Sequence, residues 1–303
     1  MTVTVVGSIA FDAVKTPWGQ RDRLLGGSAV HFALSASFLA DVRVVGPVGD
    51  DFGVAEVEVL RARGVNVDDI EHVPGGQTFF WSGEYEYDLN NRHTRDTQLN
   101  VFADFQPKLS EASKDADVLF LANIQPDLQR EVREQCHAAR FVAMDSMNLW
   151  IDIAHESLVR TIRLVDGVIL NDGELKQLTD EPNLVRAARA VLDLGPRVVV
   201  AKQGEYGSAL FTRDGYFALP AYPTPDVVDP TGAGDTFAGG FMGYLAAHPD
   251  EPVDDGLLRR AMAYGTALAS FNVEAFGPER VLALTGDEIA GRVAELHRSS
   301  SFD

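Results

Sequence analysis

Short apolar runs, each followed by a longer stretch with helical spacing, alternate along most of the chain. Thr2 to Val6 is β-branched and ends at Gly7, so it reads as a buried strand. The same pattern returns at Val42–Val45, Val118–Ala122, Phe141–Met144, Val168–Leu170 and Val198–Ala201. Runs that are apolar throughout fit strands covered on both faces, and their alternation with helices predicts a mainly parallel sheet in a three-layer α/β/α arrangement. Several of these runs give way to a polar residue: Asn123, Asp145, Asn171 and Lys202. Ligands of open parallel sheets bind beyond the carboxyl ends of the strands, so these endings are expected to converge on one crevice.

Two stretches depart from the pattern. From Gln77 to Tyr87 the period changes to two: Phe79, Trp81, Tyr85 and Tyr87 alternate with Ser82, Glu84 and Glu86, and Phe80 is the exception. A polar segment from Asp88 to Asn100 follows. An alternating segment inserted in a strand-helix series predicts a small β-sheet lid, formed by about residues 13–25 and 75–100, within one domain spanning 1–303. Gly26-Gly27 opens an alanine-rich helix expected to run to about Ala40, and Gly256 to Phe271 reads as another apolar helix. The single Cys136 is in step with Leu128, Val132 and Ala139, which predicts a buried thiol on a helix face rather than a nucleophile.

The densest chemistry lies in Asp229-Pro230-Thr231-Gly232-Ala233-Gly234-Asp235, just ahead of Phe237, Phe241, Tyr244 and Leu245 at the spacing of one helix face. Unpaired amides and the positive end of the helix dipole meet at such a start, and small residues let a bulky anion approach the backbone. Asp235 in that turn would serve as a cap in an ordinary helix. At the end of a Gly-Ala-Gly anion site it is better placed to act as a base.

This motif resembles the C-terminal signature of the ribokinase-like, or PfkB, family of carbohydrate and nucleoside kinases. The resemblance implies ATP-dependent phosphorylation of an alcohol, with Asp235 as general base and the amides of Gly232, Ala233, Gly234 and Asp235 forming the anion hole. It also implies that Asp12, Gly26 and Gly27 hold the acceptor, with His31 standing where the family usually has Asn. Asn123 and Asp145 are further acceptor candidates, although a helix-borne His is more often structural than a ligand. Gly46 to Gly53 resembles a family element after the second strand; a solvated turn is the simpler reading of its Asp51. Asn171 and Glu174 match an Asn-x-x-Glu motif that helps hold Mg2+ in the family, and a helix cap would use the same residues. Lys202, Gly204 and Gly207 resemble the nucleotide loop, where a hairpin would look alike. Thr231 and Asn272 complete the expected nucleotide side. Whether a monovalent cation such as K+ also binds is left open.

Charge narrows the partners. The net charge of −19 argues against nucleic acid or an anionic membrane surface. It also requires the site itself to supply positive potential for ATP. No apolar run approaches the roughly 18 residues needed to span a bilayer, and one cysteine fits a reducing compartment, so a cytoplasmic location is expected. A dinucleotide-binding fingerprint lacks its third glycine, and a Walker loop is absent. The acceptor is expected to be a sugar, with a nucleoside as the alternative if Phe79, Trp81 and Tyr85 stack on a base. A silent nucleotide or sugar sensor is the non-enzymatic alternative, and pairing of two copies through the lid is a further expectation.

Overall fold

The computed structural model describes residues 1–301. Its strands are β1 (Thr2–Val6), β2 (Ala10–Thr16), β3 (Gly19–Gly26), β4 (Asp41–Val48), β5 (Asn66–His72), β6 (Phe79–Tyr85), β7 (Arg92–Gln98), β8 (Val118–Leu121), β9 (Phe141–Met144), β10 (Gly167–Asn171), β11 (Val198–Lys202), β12 (Ser208–Phe211) and β13 (Tyr216–Leu219). Nine of them form one sheet in the order β13-β12-β11-β10-β9-β8-β1-β4-β5. Pairing is parallel from β5 through β11, and β12 and β13 add an antiparallel edge.

Alternation along the strands divides the core in two. Val118 and Phe120 face one apolar cluster, which includes Phe237 and Phe241 of the helix Ala233–Ala247. Leu119 and Leu121 face the other, with Val132, Leu158 and Val191 from helices on the opposite side. Side chains of period two on a sheet covered twice explain why the strands read as unbroken apolar runs. The layers are therefore helix, sheet and helix, as the sequence predicts.

The remaining strands form a four-stranded sheet, β3-β2-β6-β7. It occupies residues 10–26 and 79–98, close to the segments expected from the change of period. Three local expectations need correction. The helix after Gly27 is Ser28–Ala36 and gives way to a short turn before Ala40. Cys136 is buried, but the helix Pro126–Gln135 stops before it, so Ala139 is not on that helix; burial pushes its thiol up to about 11. Tyr87 lies beyond β6 and is 85% exposed, so it does not extend the aromatic stripe.

Asp51 also differs from the solvated turn expected of it. Its Oδ1 accepts both the N–H and the hydroxyl of Thr78 at 2.7 Å, and it pairs with Arg23 at 3.5 Å. The carboxylate thus ties the entry of β6 and the edge of β3 to the end of β4. Among the described residues no helix is long and apolar enough to cross a membrane.

Candidate active site

The turn before the helix Ala233–Ala247 is braced from behind. Asp229 is wholly buried and accepts the N–H of Thr231 at 2.9 Å and that of Gly277 at 3.0 Å. Asn272 is wholly buried too: its Nδ2 donates to the Thr231 carbonyl at 2.8 Å, and its Oδ1 accepts the Thr236 hydroxyl at 3.1 Å. Both polar groups of Asn272 are committed to this bracing, behind the turn. Thr231 donates its hydroxyl to the Tyr85 hydroxyl at 3.2 Å, which joins the turn to the small sheet.

Gly232 adopts a left-handed conformation, φ 74° and ψ −1°. A Cβ there would overlap the ring of buried His31, so the position needs glycine for its backbone and its space. Burial pushes the imidazole down to about 4, which leaves His31 neutral near pH 7. Its Nε2 has no hydrogen-bond partner among the described residues. The Ala233 N–H donates to the Pro230 carbonyl at 3.2 Å. Among the described residues, the N–H groups of Gly234 and Asp235 have no backbone acceptor; the Asp235 N–H meets its own carboxylate, and the Gly234 amide is open to an anion.

Asp235, Lys202 and Asp145 flank this opening. Asp235 is half-buried in the first helical turn; desolvation holds its carboxyl above the usual range, while Lys202 and Arg92 oppose the rise. Lys202, at the end of β11, lies so close that a Cβ on Gly234 would be 2.7 Å from its Nζ. Asp145, just past β9, is buried with Oδ1 unpartnered among the described residues. Burial raises its carboxyl well above the ordinary range, Asp235 and Glu174 add to the rise, and Lys202 opposes it. Of the four strand endings, Asp145 and Lys202 act on one another across this opening.

Glu174 and Asn171 form a reciprocal cap on the helix Asp172–Thr179. Asn171 Oδ1 accepts the Glu174 N–H at 2.7 Å, and Glu174 Oε2 accepts the Asn171 N–H at 2.8 Å. Capping uses one oxygen of each side chain. The other carboxylate oxygen of Glu174 is not engaged by the cap, and burial raises this carboxyl despite the opposing charge of Lys202. Among the described residues no cluster of three or more His, Cys, Asp or Glu side chains is arranged to hold a metal. A single carboxylate suits Mg2+, which keeps waters and takes the rest of its oxygens from phosphates.

Across the crevice, Asp12 is buried against Gly26, where any Cβ would collide with its carboxylate. Its carboxyl is raised from an ordinary 3.8 to about 7 by burial first and by Asp229 and Asp235 next, while the Gly27 N–H and Arg92 oppose the rise. Asn123 is already engaged: its amide donates to Met147 Sδ at 3.1 Å and accepts the Trp150 Nε1 proton at 3.1 Å. Gly204 and Gly207, both with positive φ, shape the turn between β11 and β12, closed by the Gln203 N–H on the Gly207 carbonyl at 2.8 Å. Glu205 in that turn accepts the Asn90 amide at 3.2 Å, a second link to the small sheet.

Sequence reasoning missed Arg92 and the role of Asp229. Arg92 begins a strand that is exposed along its whole length and has no apolar residue, so no periodicity marked it. Asp229 was visible only as part of the signature, since its partner Gly277 is 48 residues away.

A carboxylate beside an open amide at a helix start, with a lysine at one side and a second carboxylate across the crevice, defines a phosphotransferase with an alcohol acceptor. The model of the pfkB family carbohydrate kinases matches residues 4–282, and the chain belongs to that family. A cytidine kinase of Thermococcus kodakarensis is 29% identical over 270 residues, covering 86% of this chain and 94% of the relative. An ATP-dependent ribose-1-phosphate kinase of Halopiger xanaduensis is 26% identical over 273 residues, covering 89% and 86%. The crystal structure of a Methanocaldococcus jannaschii nucleoside kinase, an archaeal member of the ribokinase family, superposes with a TM-score of 0.78 at 21% identity, covering 97% of this chain and 98% of that one.

Proposed function

We propose that this protein transfers the γ-phosphoryl group of ATP to a hydroxyl of a small carbohydrate held between Asp12 and Asp235. The observation that carries the reading is the Asp235 carboxylate in the first turn of the helix beside the open Gly234 amide, with Lys202 next to Gly234. The acceptor oxygen forms a bond to the γ-phosphorus as the bond to the β,γ-bridging oxygen breaks. ADP leaves with that electron pair, and the hydroxyl proton passes to Asp235. The Gly234 amide and Lys202 stabilise charge on the phosphoryl oxygens. Glu174, through its uncapped oxygen, and Asn171 would hold Mg2+, which neutralises phosphate charge when bound.

The small sheet is, in this reading, a lid over the acceptor, latched at Tyr85–Thr231 and Asn90–Glu205. Pairing of two copies through the exposed strand β7 and a cytoplasmic, ATP-rich location belong to the same proposal. Lys202, Gly204 and Gly207 line the nucleotide side, while Thr231 and Asn272 act by holding the turn.

A sugar is favoured over a nucleoside because the aromatic side chains that would stack on a base are engaged. Phe79 meets Phe102 edge-on at 5.8 Å, Trp81 lies over Gly83, and Tyr85 is buried and bonded to Thr231. The nucleoside alternative stands on the cytidine kinase and nucleoside kinase relatives. ADP release across free sugars, sugar phosphates and nucleosides decides between them: a free sugar is expected to respond most strongly, and a nucleoside response with silent sugars reverses the assignment.

Asp12 gives this proposal a pH signature. As an ionised acceptor of sugar hydroxyls it would bind best above about pH 7. Its folded-state value is raised, so its stabilising contribution is full below 3.8 and is lost as pH rises through about 7. A shift of this size corresponds to roughly 4 kcal/mol. Asp12→Asn is therefore expected to unfold at a higher temperature than the parent at pH 8, with the gap narrowing by pH 5. Its acceptor KM should rise about 10-fold or more, as for a lost hydrogen bond to a charged group. Thermal unfolding at the two pH values, with acceptor titrations, checks both.

A further inference from the structure

Arg92, the first residue of β7, is a cation of the small sheet placed beside the Tyr85–Thr231 contact that joins this sheet to the anion-binding turn. It is paired directly with Tyr85 across strands β6 and β7, and directly opposed residues project from the same face. Tyr85 uses that face to reach Thr231 of the anion-binding turn. The guanidinium lies 5.1 Å from the centre of the Trp81 ring, and Trp81 is itself packed over Gly83, so the cation rests on a supported aromatic surface. Among the described residues no carboxylate lies within ion-pairing distance of Arg92, whereas neighbouring Lys15 and Arg95 both pair with Glu84, at 3.0 and 2.9 Å.

We propose, on the kinase reading above, that Arg92 is a catalytic residue whose guanidinium binds oxygens of the phosphoryl group during its transfer. The charge of Arg92 is felt at Tyr85, Glu174, Asp235 and Asp12, which bound the space between the nucleotide end, the base and the acceptor. Lys202 and the Gly234 amide meet that space from the large sheet, and Arg92 meets it from the small one. A planar fork of N–H donors matches phosphoryl oxygens in a way a point charge does not. As the acceptor oxygen bonds to phosphorus and ADP departs with its electron pair, charge spreads over the equatorial oxygens that Arg92 faces.

The test uses the whole protein with ATP, Mg2+ and its best acceptor. Arg92→Ala is expected to lower kcat by about 1,000-fold, within the range of arginines that act on a phosphoryl group in transit. ATP affinity by calorimetry and the unfolding temperature should stay close to the parent's. Affinity for ADP with aluminium fluoride, a mimic of the planar phosphoryl group, should fall in parallel with kcat, and added guanidinium ion should restore part of the rate. Arg92→Lys should recover less than half of the loss on a logarithmic scale. An unchanged kcat in Arg92→Ala overturns the proposal, as does a loss confined to the KM of an acceptor that carries its own phosphate, which would place Arg92 in acceptor recognition. Absence of turnover by the parent protein overturns the kinase reading itself and is seen before any variant is made.

Discussion

Replacing Asp235 by Asn is expected to lower kcat by about 100- to 10,000-fold, the range for loss of general-base help, while ATP still binds. An amide fits the same space in the first helical turn and cannot take the acceptor proton. Desolvation raises the Asp235 carboxyl, which makes it a stronger base than an exposed carboxylate, and Lys202 with Arg92 opposes the rise. The substitution also removes a negative charge that helps to raise Asp145 and Asp12. Stability should therefore be kept or improved, which separates a chemical loss from a folding defect. Single-turnover ADP formation alongside ATP calorimetry checks this. Turnover near the parent's would remove Asp235 from the mechanism.

The second large effect is expected at Gly232. Alanine there meets a left-handed backbone and the ring of His31 at once. The backbone alone costs roughly 1–2 kcal/mol, and displacing the buried ring adds to it. The amides that follow would move with the turn, and loss of one comparable donor costs on the order of 100-fold or more in rate. Gly232→Ala should therefore fall in both unfolding temperature and kcat. Adding His31→Ala removes the collision but not the backbone strain, so part of the stability should return. A double variant no more stable than Gly232→Ala would show that the ring contact does not determine the conformation of this turn.

Local patterns carry the fold because the strands are buried on both faces, and their apolar runs need no knowledge of partners to be seen. The helix after Gly232 was legible for the same reason: its periodic apolar residues face a single core. What escaped depends on contacts distant in sequence. Asp51 looks like a solvated turn until Thr78 and Arg23 are placed against it. Asn272 reads from the sequence as a ligand of the nucleotide, and its bonds to Thr231 and Thr236 come into view only in the fold. Arg92 lies in a strand of polar residues, where only pairing with β6 reveals which face it shares with Tyr85. The motif at residues 171–174 was ambiguous for a different reason. Helix capping and a metal site draw on the same side chains, and here the cap is formed while one carboxylate oxygen of Glu174 is left over.

Asp235, Lys202 and the Gly234 amide make phosphoryl transfer to an alcohol the central claim, and ADP release across the acceptor panel tests it most directly. The assay is run with ATP and Mg2+, with and without potassium, and the acceptor is recovered for mass analysis. The account predicts release that requires an acceptor, is greatest with a free sugar, and yields one phosphoryl group on the sugar for each ADP formed. Ligand binding by calorimetry with no ADP release from any acceptor would contradict it and leave a sensor built on a kinase fold.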